Sequence, residues 1–257
     1  MAGSMSRLPR RFMIACAART GSTMLVRTLR THPALLVHGE VWGARMVGVD
    51  GALAGLAPAD RDALEVQRFR DPAAAMARFA EAHGAEAVGF KLKYDELVRP
   101  EWRQVRALVE ADIDLRIVFL DRRDLLRRYL SHQIVLRHTG VTNVPAGGTP
   151  PAIQPFAIDI PDLLRDVAET RRRTREFAAA FARHPSIRIA YEDLVAAPQA
   201  VCDRVAGFLD VAPAPVQVAT ERIVREPPEM LVLNHGEVIA ALAESGEGVP
   251  AAGDLHA

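Results

Sequence analysis

Residues Phe12 to Leu29 read as a strand, a tight turn and a helix in immediate succession, and no other stretch constrains the chain as much. Phe12-Met13-Ile14-Ala15-Cys16-Ala17-Ala18 is a short apolar run of the kind that forms a fully buried strand. Arg19-Thr20-Gly21-Ser22-Thr23 then turns the chain. Met24, Leu25, Val26 and Leu29 supply the apolar face of a helix that runs to about Arg30. A strand entering a helix through a turn of glycine and hydroxyls builds an anion site, because unpaired N–H groups point outward there and the helix dipole favours negative charge. Arg19 adds a planar fork of donors suited to phosphate or sulfate oxygens.

The stretch does not fit the Walker ATPase loop, Gly-x-x-x-x-Gly-Lys-Ser/Thr. Gly21 and Thr23 match its end, but Ser22 stands in place of the lysine and Cys16 in place of the first glycine. The cationic group has moved ahead of the glycine, to Arg19.

Further strands are expected at Ala34–Val37, Ala87–Lys93, Leu115–Leu120 and Ser186–Tyr191. Helices are expected from Pro58 to about Phe69, from Asp71-Pro72 to about His83, from Pro100, from about Asp124 to His138, from Ile160 to Phe181, over Ala200–Leu209 and over Glu237–Ala243. Asp71 with Pro72 is a good start signal. Residues 140–157, rich in Gly and Pro, read as a long loop. Strands alternating with helices predict an α/β fold with a mostly parallel central sheet of about five strands flanked by helices. One domain over residues 6–245 is expected, since no repeat or linker divides the chain. Met1-Ala2-Gly3-Ser4-Met5 lacks the apolar centre of a signal peptide and reads as an appended leader, and residues 246–257 read as a loose tail.

Lys+Arg and Asp+Glu both number 32, so no net field argues for nucleic acid. No run approaches 18 apolar residues, so no transmembrane helix is expected. Cys16 and Cys202 read as small core residues with neither zinc spacing nor a disulfide framework, which points to a reducing cytoplasm. The arginines at 171, 172, 173 and 175 lie opposite the apolar stripe of the long helix, on a face that reads as solvated or as a surface for an acidic acceptor or a partner.

Three further signals carry chemistry. An apolar strand, Ile117 to Leu120, runs into Asp121-Arg122-Arg123, and Ser131 follows Arg123 by eight residues. In a helix that spacing rises about 12 Å, so both can meet one phosphate only if Arg123 sits at the strand end and reaches back. Asp121 after four apolar residues also allows a Walker B reading, with Mg²⁺ and a kinase. His38-Gly39-Glu40 ends the second strand, where a carboxylate or imidazole can take a proton from a hydroxyl. Lys91 and Lys93 share one face of the third strand, near the edge where ligands of such sheets bind.

With Arg19 ahead of Gly21, the first loop resembles the 5′-phosphosulfate loop of sulfotransferases that use 3′-phosphoadenosine-5′-phosphosulfate (PAPS). It looks most like the bacterial carbohydrate sulfotransferases of the trehalose and nodulation-oligosaccharide type, with their Arg-Ser/Thr-Gly-Ser/Thr-Thr. Arg123 and Ser131 are similar to the Arg-x7-Ser element of that family, which implies that they bind the 3′-phosphate. Gly39-Glu40 is similar to its Gly-Glu, which implies Glu40 as base. Tyr191-Glu192-Asp193-Leu194, with Ala197-Pro198 and Phe208-Leu209, matches a fold marker of the family. The resemblance spans roughly residues 11 to 210 and implies a P-loop-like three-layer fold.

It further implies PAPS as donor, adenosine 3′,5′-bisphosphate (PAP) as product, no metal, and a carbohydrate or other small-molecule hydroxyl as acceptor. Arg19 and Glu40 are then the catalytic pair. Arg19, Thr20, Gly21, Ser22, Thr23, Arg123 and Ser131 are the nucleotide ligands, and His38, Trp42 and Lys91 the acceptor contacts. The chain departs from the animal cytosolic enzymes in having no late Arg-Lys-Gly and no histidine in strand three. A P-loop kinase and a nucleotide-binding protein without turnover are the alternatives.

Overall fold

The structure, a computed structural model, describes residues 9–246. The apolar run near the start becomes the central strand, β1 (Arg10–Cys16), and Phe12 to Cys16 are wholly buried. The chain continues through α1 (Ser22–Leu29), β2 (Leu35–Glu40), α2 (Pro58–Arg70), α3 (Pro72–Phe79), β3 (Ala87–Lys93) and α4 (Tyr94–Leu97). Next come α5 (Arg103–Ala111), β4 (Arg116–Asp121), α6 (Leu125–Gln133), β5 (Val144–Pro145) and α7 (Ile160–Ala180). The remainder is β6 (Ser186–Ala190), α8 (Tyr191–Ala196), α9 (Pro198–Phe208), β7 (Thr220–Glu221), α10 (Pro228–Leu231) and α11 (His235–Glu244).

Five strands pair in parallel in the order β2-β3-β1-β4-β6, the P-loop-like order. The chain leaves β1 for the far edge, returns to β3, and then crosses β1 to β4. Ligands of open parallel sheets bind beyond the carboxyl ends where the winding reverses. Here that point is the loop after β1.

Alternation along each strand divides the core in two. Met13, Ala15, Phe90, Leu92, Ile117 and Phe119 face Trp42, Phe79, Trp102 and Phe177. Phe12, Ile14, Cys16, Val37, Val118 and Leu120 face Leu25 and Leu29 of α1 and Val205 of α9. Burying each such aliphatic side chain stabilises by about 1.5–3 kcal/mol, so the sheet is covered on both faces as a parallel sheet must be. Asp71, Asp124 and Asp159 each accept an N–H of the first helical turn, and prolines open α3 and α7.

Several boundaries differ from the sequence reading. The helix begun at Pro72 stops at Phe79, short of His83, and His83 and Gly84 take left-handed conformations in the connection to β3. Short helices α4 and α8 follow β3 and β6 directly, where the sequence reading named no element. The helix expected to His138 ends as α6 at Gln133 and becomes a π-helical turn over Ile134–Thr139. Within the 140–157 loop, β5 pairs antiparallel with β7, and Phe156 bridges to Val232. The expected leader, 1–5, and the tail from 247 lie outside the described residues. Cys16 and Cys202 are buried and unlinked. Among the described residues no helix is long and apolar enough to cross a membrane.

Candidate active site

The turn after β1 is assembled from outside. Thr20 Oγ1 donates to Ala17 O (2.9 Å), Arg128 Nη1 to Ala18 O (3.2 Å) and Arg122 Nη1 to Arg19 O (3.2 Å). Three successive carbonyls are thus committed to donors. Arg19 itself has φ 66°, a left-handed value that costs a non-glycine residue about 1–3 kcal/mol. Gly21 (φ 85°) is the N-cap of α1, and the ring of Tyr191 lies against it, so a Cβ there would come within 2.3 Å of Tyr191 Cδ2. The start of α1 has no side-chain cap and no acidic residue in its first turn. Its N–H groups and dipole meet no competing anion from the chain's own first turn, which suits phosphate or sulfate.

Glu40 enters this neighbourhood through a bulge. Strict alternation would put His38 and Glu40 on one face of β2. Instead the register with β3 shifts between them, from His38 opposite Phe90 to Glu40 opposite Lys91. Gly39 N–H donates to Gly48 O (2.6 Å), and a Cβ at Gly39 would lie 2.7 Å from Val47 O. The glycine admits the return segment, and the extra residue turns Glu40 to the α1 side. Its carboxylate accepts from Lys91 Nζ (2.7 Å) and Lys93 Nζ (2.8 Å). Lys91 Nζ also lies 3.4 Å from Thr23 Oγ1 on α1, and Lys93 Nζ lies 3.2 Å from Glu96 of α4. Burial pushes the Glu40 carboxyl up, but the two ammonium groups outweigh it and hold it at about 2.

Arg19 Nε donates to Ser131 Oγ on α6 (3.1 Å), and its Nη1 donates to Thr142 O (2.9 Å). Arg123 turns elsewhere. Its guanidinium makes a bidentate pair with Asp193 of α8 (2.9 and 3.0 Å), and the Glu192 carboxylate accepts from the N–H groups of Arg123 and Asp124 (3.2 Å each). The Arg122 guanidinium covers the Tyr191 ring at 4.5 Å. A cleft of about 250 Å³ opens beside the loop, lined by Thr20, Arg122 and Arg123 and by Thr170, Thr174 and Arg175 of α7.

The structure therefore brings Arg19 to Ser131, and Lys91 to both Glu40 and Thr23. It pairs Arg123 with Asp193 rather than with Ser131. Two expected acceptor contacts lie elsewhere. His38 is buried on the opposite face of β2, its ring centroid 5.8 Å from that of Phe79 and its Nδ1 accepting from Asp50 N–H (3.0 Å). Burial pushes its imidazole down to about 4. Trp42 is wholly buried, edge-on to Phe79 and Trp102 at 5.5 Å each. The bulge, set by the 47–48 segment, keeps His38 off the face of Glu40.

Asp121, the residue of the Walker B reading, accepts from Arg188 Nη1 at 2.7 Å. The sequence reading missed Glu96, Asp193 and Glu192 as members of the site. Tyr-Glu-Asp-Leu was read as a fold marker, and no local signal pairs it with residues 70 positions earlier.

No family model matches the chain, and no curated protein matches it. Among solved structures it is similar to a sulfotransferase from Alicyclobacillus acidocaldarius, with 18% identity, TM-score 0.47, and coverage of 93% of this chain and 96% of that one. It is also similar to the sulfotransferase domain of the Synechococcus PCC 7002 olefin synthase, with 16% identity, TM-score 0.46, and coverage of 96% and 91%. A sulfotransferase domain from the curacin biosynthetic pathway gives 14% identity, TM-score 0.47, and coverage of 95% and 100%. The functional reading rests on the chain's own residues.

Proposed function

We propose that the protein transfers a sulfuryl group from PAPS to a hydroxyl of a carbohydrate or other small molecule. One observation carries the reading. Lys91 bridges the Glu40 carboxylate (2.7 Å) and the Thr23 hydroxyl of the anion loop (3.4 Å). A proton acceptor and an anion site thus stand one ammonium group apart.

The donor supplies an activated S–O bond to a phosphate leaving group. The start of α1 and Arg19 bind the phosphosulfate and the charge that grows on the departing 5′-phosphate oxygen. The acceptor oxygen bonds to sulfur as the sulfur–phosphate oxygen bond breaks, and its proton passes to Glu40. Glu40 is ionised at every physiological pH, so it is ready to accept. Its two lysines leave it a weak base in the resting protein. An arriving hydroxyl displaces one of them and relieves part of that depression. The remaining contacts align donor and acceptor, as loose transfer chemistry requires. For Arg123 to meet a 3′-phosphate, the phosphate must replace Asp193 on its guanidinium.

The test is mass spectrometry of a library of mono- and disaccharides and simple alcohols incubated with PAPS, with ATP and Mg²⁺ in parallel. The expected result is a sulfated product and PAP, unaffected by EDTA. Phosphorylated product with a strict Mg²⁺ requirement would replace the reading with a kinase. PAP binding with no product from any acceptor would favour a nucleotide-binding protein without turnover.

A further inference from the structure

The residues immediately after Glu40 are gripped by one buried arginine. Arg68 of α2 has no solvent exposure. Its Nη1 donates to Val41 O (3.0 Å) and Gly43 O (2.6 Å), and its Nη2 donates to Ala44 O (3.1 Å) and to Glu65. Glu65, one turn earlier on the same helix, accepts Met46 N–H at 3.0 Å. The guanidinium also lies 4.6 Å from the centroid of Phe69 and 5.1 Å from that of Trp102. A buried guanidinium needs its hydrogen-bond partners to offset the loss of water. The carbonyls of residues 41, 43 and 44 are therefore not free to drift.

Gly43 is where this grip reaches the site. A Cβ placed on it would lie 3.6 Å from Glu40 Cβ and 3.2 Å from Glu96 Oε1. The backbone at Gly43 is thus the wall behind both carboxylates that hold Lys93. Glu96 is itself buried, and its Oε2 accepts Lys93 N–H at 2.9 Å. Where Arg68 holds Gly43 decides how Glu40 and Glu96 stand against the two lysines.

We infer that Arg68 is a positioning residue for the Glu40 carboxylate, acting through the carbonyls of Val41, Gly43 and Ala44. The inference rests on Glu40 being the proton acceptor of the proposed transfer. Reacting groups must be held to about 0.5 Å, and a misplacement of about 1 Å can cost 10²-fold in rate. Three carbonyls fixed by one fork-shaped cation supply that constraint. Lysine, a compact point charge, cannot reproduce it.

The experiment compares wild type, Gly43→Ala, Arg68→Lys, Arg68→Met and Glu40→Gln as full chains. The probes are PAPS as donor, the library alcohol that reacts fastest with wild type as acceptor, and PAP for calorimetry. Saturating turnover per folded molecule should fall about 10-fold or more in Gly43→Ala and Arg68→Met, and by an intermediate factor in Arg68→Lys. PAP affinity should stay within about two-fold of wild type. A purely structural arginine would instead lower thermal stability and leave turnover per folded molecule unchanged.

Folded Arg68→Lys or Arg68→Met turning over at the wild-type rate overturns the inference. If neither folds, Gly43→Ala at the wild-type rate overturns it. The control separates the two readings. Slow Glu40→Gln with unaffected Arg68 variants removes only the positioning role. Glu40→Gln at the wild-type rate removes the base assignment and the positioning role together.

Discussion

Lys91 Nζ stands 2.7 Å from the carboxylate of Glu40 on the neighbouring strand and 3.4 Å from the hydroxyl of Thr23 at the start of α1. Lys91 is almost completely buried, so its charge is placed there at a desolvation cost that Glu40 offsets. Glu40→Gln should cut turnover by about 10²-fold or more while PAP affinity stays within a few-fold. Steady-state kinetics with calorimetry checks this, and unchanged turnover would remove Glu40 as the base.

His38→Ala should separate from it. His38 Nδ1 satisfies the Asp50 N–H from the far face of β2. Losing it leaves a buried donor unpaired, at a cost of about 1–3 kcal/mol in stability. Turnover per folded molecule should be unchanged. A large fall in turnover without loss of stability would mean that the imidazole reaches the reacting atoms.

Arg19→Ala should lower turnover by about 10²–10³-fold, a typical cost of losing one donor to developing charge. Product-nucleotide affinity should fall much less, because that charge is fully grown only in the transition state. The variant also releases Ser131 and Thr142 from the Arg19 side chain. Equal losses in affinity and turnover would make Arg19 an ordinary binding residue.

Asp193 and a 3′-phosphate compete for Arg123. Calorimetry should find PAP bound more tightly than AMP by about 1.5–3 kcal/mol, a preference erased by Arg123→Ala. Asp193→Asn should strengthen PAP binding by a factor of about two to five, the worth of one partly exposed ion pair. Equal affinities for PAP and AMP in wild type would dismiss the 3′-phosphate role of Arg123.

Acid stability should show two separate windows. The His38 imidazole is held neutral at about 4 by burial, below its ordinary 6.5, so the unfolded chain binds the extra proton. That contribution, on the order of 3 kcal/mol, is complete above about pH 6.5 and is lost as pH falls toward 4. Glu40, depressed from 4.5 to about 2, acts lower. Its contribution is complete above about pH 4.5 and is lost as pH falls through 2. Melting temperature against pH for wild type and His38→Asn checks this. An unchanged slope between pH 6.5 and 4 in His38→Asn would contradict the first window.

The local pattern of the sequence determined the elements. The apolar run before Arg19, the glycine and hydroxyls after it, and the strands at 87–93 and 115–120 are short-range signals, each readable within a window of a few residues. Alternation also placed Lys91 and Lys93 on one face of β3, where they are.

Contacts across the fold decided the rest. The bulge that parts Glu40 from His38 exists because residues 47–48 return to pair with Gly39 and Glu40. Arg123 faces Asp193 because α8 starts directly at the end of β6, beside β4. Arg68 lies on a helix the local pattern predicts, but it lies wholly inside because three distant carbonyls and Glu65 give its guanidinium partners there. In each case the deciding energy is a polar group's need for a partner once water is excluded. That partner lies far off in sequence, so only the folded chain could name it.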